Sequence, residues 1–206
     1  MKKKILPFVF LFALLIIDQV VKFYIKLNFR LGESVPVFDW FEILFVENPG
    51  MAFGVELGSK LFLTTFRILM SVGLFYYLWK LIKYNYKWGY ITIVTMVLAG
   101  ALGNIIDCVF YGRIFSESTY YTVATFMPEA GGYAPWFMGK VVDMLYFPLF
   151  TFPEWVPFCG GDIFFSPIFN VADSLISVSV ISMILFYRNE FSESIERIFT
   201  KTKSVE

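Results

Sequence analysis

The sequence predicts an all-α membrane protein with four transmembrane helices, a small extracytoplasmic β-sheet acting as a cradle, and a long extracytoplasmic loop. Three observations predict it. Of 206 residues, 58% are hydrophobic and 17% charged, against about 45–50% and 25% in an average globular domain, and mean hydropathy is +0.67. Four apolar stretches, at about 5–27, 61–82, 90–111 and 168–187, reach the length of about 20 residues that a bilayer core requires. Cations crowd the ends and one short connection, leaving the connections 28–60 and 112–167 with only Arg30, Lys60, Arg113 and Lys140.

The first stretch follows MKKK, and no small-residue cleavage site comes after it, so it reads as a retained anchor. The first long connection contains VPVFDWFEILFVENPG. Its β-branched and aromatic alternation before an Asn-Pro-Gly turn reads as a short sheet at the membrane interface. Lys80, Lys83 and Lys87 flank the short second connection, and Arg188, Arg197, Lys201 and Lys203 follow the fourth stretch. The positive-inside bias then puts both termini in the cytoplasm and both long loops outside. The second long loop contains TFMPEAGGYAPWFMG, whose Pro and Gly predict an irregular segment resting on the membrane, with room for a hairpin. Residues 1–206 are expected to form a single integral membrane domain.

Composition excludes several functions. Lys plus Arg and Asp plus Glu both total 17, which argues against a nucleic-acid surface. His is absent, so Ser-His-Asp and Cys-His machinery is excluded. Cys108 and Cys159 are too few and too far apart for a zinc site or a disulfide framework, though one bridge stays open. No metal and no cofactor are expected.

Ionisable residues inside apolar helices cost about 2.5–3.5 kcal/mol each at the helix centre, which makes each a candidate for function. Asp18 and Lys22, four apart, share a face and could pair; a structural ion pair and a substrate-binding role stay open. In AGALGNIIDC, Gly100, Ala101 and Gly103 permit close helix approach while Asn104 and Asp107 point polar groups the same way. Interhelical hydrogen bonding alone would also explain Asn104. By the orientation above, these residues converge on the outer leaflet with Asp143, Asn170 and Asp173, which reads as a site at that surface. Without His, two carboxylates sharing a proton are the remaining way to activate water. Taken singly, Asp173 could be a first-turn carboxylate with Asn170 as N-cap, and Asp143 a solvated carboxylate ending a strand. A transporter would spread its ionisable groups through the bilayer, and here the cytoplasmic half is nearly devoid of them.

DQVVK (Asp18 to Lys22), ENPGMAF (Glu47 to Phe53), GNIID (Gly103 to Asp107), VVD (Val141 to Asp143) and FNVAD (Phe169 to Asp173) occur in this order. Together they give a chain that resembles the lipoprotein signal peptidases, the signal peptidase II family of aspartic endopeptidases. The resemblance implies a monomeric enzyme of the bacterial inner membrane that works among membrane lipids on lipid-modified prolipoproteins, cutting before the diacylglyceryl-cysteine. It implies a catalytic pair, Asp143 and Asp173, and binding or supporting roles for Asp18, Lys22, Asn48, Gly50, Asn104, Asp107, Asn170 and Ala172. Cys108 stands where the family usually has Arg, a contact that Arg113 could supply instead. Relative to the family, Arg113–Met138 is an insertion. It is expected to be a surface lid or membrane-resting loop that gates substrate, flexible at Gly131-Gly132; packing on the first-loop sheet is the alternative.

Overall fold

The computed structural model describes residues 2–50 and 60–200. Met51, Ala52 and Phe53 of the ENPGMAF run lie outside the described residues, as do Lys201 and Lys203 of the positive C-terminal flank. Long apolar runs become helices: α1 (Lys2–Asn28), α2 (Lys60–Lys83) and α3 (Trp88–Ile106). A π-helical turn, Asp107–Tyr111, and the short α4 (Gly112–Ile114) continue the third. The spans Lys4–Asn28, Lys60–Lys83 and Trp88–Ile114 are each long and apolar enough to cross a membrane. The shorter α5 (Val171–Phe186) bends by 91° into the pair formed by α6 (Arg188–Ile195) and the π-helical turn Glu196–Thr200. Among the described residues, then, three helices qualify as spans, or four if the bent pair counts as one.

The chain forms two compact units. The helical unit takes α1 up to Gln19, most of α2, α3 as far as Ile105, and everything from Ala172. Its core is apolar: Leu11, Leu78, Leu81, Val94 and Leu98, with Ile198 from the C-terminal turn. Phe12 and Ile16, four apart on α1, are 63% and 62% exposed, an apolar stripe suited to lipid. Hydroxyls fasten the end of this unit. The Tyr77 hydroxyl lies 2.6 Å from that of Tyr90 and 2.5 Å from that of Ser194, Lys87 pairs with Glu190, and the Arg197 guanidinium stands 4.5 Å above the Tyr84 ring. These contacts tie α6 and the π-helical turn after it to α2, α3 and the connection between them.

The sheet unit comprises residues 20–63 and 106–171. Its antiparallel sheet runs β1-β2-β3-β6, from β1 (Ser34–Phe38), β2 (Phe41–Asn48), β3 (Val141–Tyr146) and β6 (Ile168–Phe169). A separate hairpin joins β4 (Phe150–Thr151) to β5 (Ile163–Phe164). The first long loop thus supplies only β1 and β2; the second, expected to be irregular, supplies β3, and the start of the fourth apolar stretch supplies β6. Ile168 and Phe169, read from sequence as the start of the fourth helix, pair with Tyr146 and Leu145 instead, and α5 starts at Val171. Register sets Val46 opposite Asp143, Glu47 opposite Val142 and Asn48 opposite Val141. Ile25, Phe45, Tyr111, Phe115, Val142 and Met144 form the core beneath. Both cysteines are free thiols.

Candidate active site

In the sheet unit, β3 holds Asp143 at 2% exposure. Its Oδ1 accepts a hydrogen bond from Asn170 Nδ2 at 2.6 Å, and Asn170, fully buried, follows β6 directly. A solvated carboxylate ending a strand is therefore not what Asp143 is: it lies within the strand, buried and amide-bound. One residue earlier, the backbone N–H of Val142 donates to Asp107 Oδ2 at 3.2 Å. The same oxygen receives Lys22 Nζ at 2.8 Å, with both side chains fully buried. Asp107 opens the π-helical turn, a local widening often found at functional positions. Asn48 Oδ1 accepts from Gly50 N at 2.8 Å, an Asx turn in which Gly50 takes φ +99°, a conformation that suits glycine.

In the helical unit, a small-residue face of α3 meets the first turn of α5. A Cβ on Gly103 would lie 2.5 Å from Asp18 Oδ2 and 3.2 Å from Ala172 Cβ, so only glycine fits there without movement. Asp18, 1% exposed, accepts the Ala172 N–H on Oδ1 at 3.0 Å and the Gln19 amide on Oδ2 at 3.1 Å. Gln19 also donates to the Gly103 carbonyl at 3.2 Å. Asn104 Nδ2 donates to Asp173 Oδ1 at 2.7 Å. Asp18 therefore holds the turn that carries Asp173, and Asn104 orients its carboxylate.

Each of the two candidate aspartates thus has its own asparagine. An Asn N–H donates to a carboxylate and fixes its plane, and as a donor it cannot take up the carboxyl proton. Among the described residues, no three of His, Cys, Asp or Glu gather as a metal-ligand set. Sequence reasoning missed Gln19 and Lys26. The signal for Lys26 was present, because positions 18, 22 and 26 continue one helical stripe.

The family model described as "Signal peptidase (SPase) II" matches residues 10–188. The chain belongs to the signal peptidase II family. The resemblance to this family read from the sequence is borne out. This signal peptidase II chain is 50% identical over 179 residues to the lipoprotein signal peptidase of Porphyromonas gingivalis, covering 84% of this chain and 79% of that one. It is 33% identical over 196 residues to that of Amoebophilus asiaticus, covering 88% and 77%. A solved bacterial membrane enzyme, determined by the in meso method at 2.3 Å, shares 26% identity at a TM-score of 0.61 and covers 91% of this chain and 90% of its own. A second, at 1.9 Å, shares 25% at a TM-score of 0.58, over 87% and 90%. Apolar helices and membrane-enzyme relatives together make this signal peptidase II chain a membrane protein.

Proposed function

We propose that this protein removes the signal peptide from lipid-modified prolipoproteins, cutting the peptide bond before the diacylglyceryl-cysteine, with Asp143 and Asp173 as the catalytic pair. The observation that carries the reading is the matched treatment of the two carboxylates, each oriented by one Asn amide, Asn170 for Asp143 and Asn104 for Asp173. Family membership supplies the substrate class. In this reading the pair shares one proton. The ionised member takes a proton from water as its oxygen attacks the scissile carbonyl carbon, and the neutral member gives its proton to the carbonyl oxygen. Collapse of the resulting gem-diol breaks the C–N bond. The amine of the new N-terminal Cys gains a proton, and the signal peptide leaves as a carboxylic acid.

The remaining residues hold this arrangement. Asp107 and Lys22 set the strand before Asp143; Asp18 and Ala172 set the turn before Asp173; the Asn48–Gly50 turn presents Asn48 to the substrate backbone. The reaction as written needs no metal or organic cofactor. We place the protein in the bacterial inner membrane as a monomer of one domain. Its four spans would leave the termini in the cytoplasm, and the sheet and second loop outside. Mass spectrometry of a lipidated prolipoprotein incubated with purified enzyme tests the core of the proposal. The wild type should release a product beginning at the lipidated Cys. Asp143→Asn and Asp173→Asn, each still inserted and folded, should release none. Substantial turnover by either folded variant would sink the pair, and a product beginning elsewhere would sink the cleavage position.

A further inference from the structure

The sheet unit contains a second ionic cluster that the reaction above does not use. Lys26, fully buried in the last turn of α1, pairs with Glu47 Oε1 and donates to Ser118 Oγ at 2.9 Å. The other oxygen of Glu47 receives Lys140 Nζ at 3.0 Å, and the Glu47 side chain is 3% exposed. Both ammonium groups stand over the Tyr133 ring, Lys26 at 4.8 Å and Lys140 at 5.4 Å from its centroid. The Tyr133 hydroxyl accepts the backbone N–H of Lys140 at 2.7 Å. Burial raises the phenol's pKa, so the ring stays neutral between the two cations.

Four parts of the chain meet here: α1, β2, the 113–138 insertion and the residue just before β3. The insertion cannot reach this point without close backbone approach. Ala134 N donates to Gly112 O at 2.9 Å and Met127 N to Ile114 O at 2.7 Å, and a Cβ on Gly132 would strike the Gly112 carbonyl and the Arg113 backbone. Gly132 is therefore needed for contact, whatever flexibility the glycine pair has. Beyond the insertion, Gly139 N donates to Cys108 O at 2.8 Å, bringing Lys140 to the head of β3.

We propose that Lys26, Glu47, Lys140 and Tyr133 are positioning residues for the strand that carries Asp143, and that the insertion is the clamp that closes this network. The ladder makes the connection direct. Glu47 sits opposite Val142, and its neighbour Val46 sits opposite Asp143; Lys140 precedes β3 by one residue. One buried carboxylate thus ties β2 to the start of β3 and to α1, while Tyr133 fixes the Lys140 peptide. Since Asp143 lies three residues from Lys140, loosening the network shifts the carboxylate without touching substrate. The proposal rests on the catalytic reading of Asp143.

Full-length enzyme carrying Glu47→Gln or Tyr133→Phe tests it by kinetics and by amide hydrogen exchange. Each should lower kcat per folded molecule with KM little changed, Glu47→Gln by a factor on the order of ten to a hundred, as expected for sub-ångström to ångström misplacement of a reacting group. Amides of 141–146 should exchange faster while those of α2 and α3 do not change. Adding Lys26→Met to Glu47→Gln should restore part of both readouts, because it removes a buried ammonium left without its carboxylate. Unchanged kcat and unchanged exchange at 141–146 in both single variants would overturn the network. So would a lower melting temperature with unaltered kcat, which is what a merely structural cluster gives. Tyr133→Phe deletes one oxygen only, so it tests the idea even if Glu47→Gln fails to fold. Asp143→Asn assayed alongside separates the two readings. Activity in that variant removes the catalytic assignment, and exchange at 141–146 still judges the clamp.

Discussion

The sheet unit buries Lys22, Lys26, Asp107, Asp143, Asn170 and Ser118, whereas the helical unit buries Thr64, Ser71, Thr95, Ser179 and Ser194 and, of charged groups, Asp18. One holds its buried ion pairs, Lys22–Asp107 and Lys26–Glu47, inside protein; the other rests on apolar packing, with hydroxyls such as that of Thr95 bonded to their own helix and that of Ser179 buried without a hydrogen-bond partner among the described residues. The difference follows from what each must do. A helix closes its backbone hydrogen bonds within itself and can present apolar rings such as Phe12 to lipid. Strands assembled from two distant loops need partners across the chain, and an ion pair with fixed donors specifies such partners better than apolar contact does. The cost is fragility, because removing one member of a buried pair leaves the other charge in a dry interior.

That contrast can be broken or sharpened by substitution. The largest effect on stability is expected for Asp107→Asn, which takes away the carboxylate that Lys22 pairs with and weakens the acceptor for Val142 N. Chemical unfolding in detergent should show a loss of about 3–5 kcal/mol, with much of it recovered when Lys22→Met is added. An unmoved unfolding curve would mean that the sheet unit does not depend on its charges. In the helical unit the comparable weak point is steric. Gly103→Ala puts a methyl group against Asp18 Oδ2, and overpacking should cost about 1–3 kcal/mol and reduce cleavage by displacing the turn that carries Asp173. A silent Gly103→Ala would show that α3 and α5 have slack. The smallest effect belongs to Lys87–Glu190, whose lysine side chain is 74% exposed. Its hydrogen bond to the Glu190 carboxylate, and then the charge of that carboxylate, raise the Lys87 pKa. The stability it adds is therefore complete below the ordinary lysine value and lost as pH rises through the higher folded one. Lys87→Gln should barely move the unfolding midpoint at neutral pH, and added salt should shrink even that difference. A shift as large as that of Asp107→Asn would erase the distinction between exposed and buried pairs.

The helices were legible in the sequence to within a few residues, because apolar run length is a local property. The first half of the sheet was legible for the same reason, as alternation in residues 34–48. Its second half was legible only as one open reading, a strand ending at Asp143. Val141–Tyr146 is apolar throughout apart from Asp143, with no alternation to mark it, and Ile168–Phe169 merges with the apolar run of α5. The helix α6 was not legible, since its Arg188 enters the sequence reading only as part of the positive flank after the fourth stretch. Gly132 was read for flexibility when its contacts require it for space, a difference that only a neighbour's position can reveal. Lys26 was overlooked although its spacing from Lys22 announced it.

By itself the sequence determined that this chain enters a membrane, that it lacks imidazole chemistry, and which family it belongs to, since composition, run length and ordered motifs are written along one dimension. It also named Asp143, Asp173 and the residues around them as candidates. Only the tertiary structure decided who holds whom: Asn170 on Asp143, Asn104 on Asp173, Asp107 between Lys22 and Val142, and Asp18 on the Ala172 N–H, 154 positions away. The physical reason is that a hydrophobic run satisfies itself wherever lipid is present, whereas a buried carboxylate must find its donor in space, and the packing of distant segments selects which donor arrives.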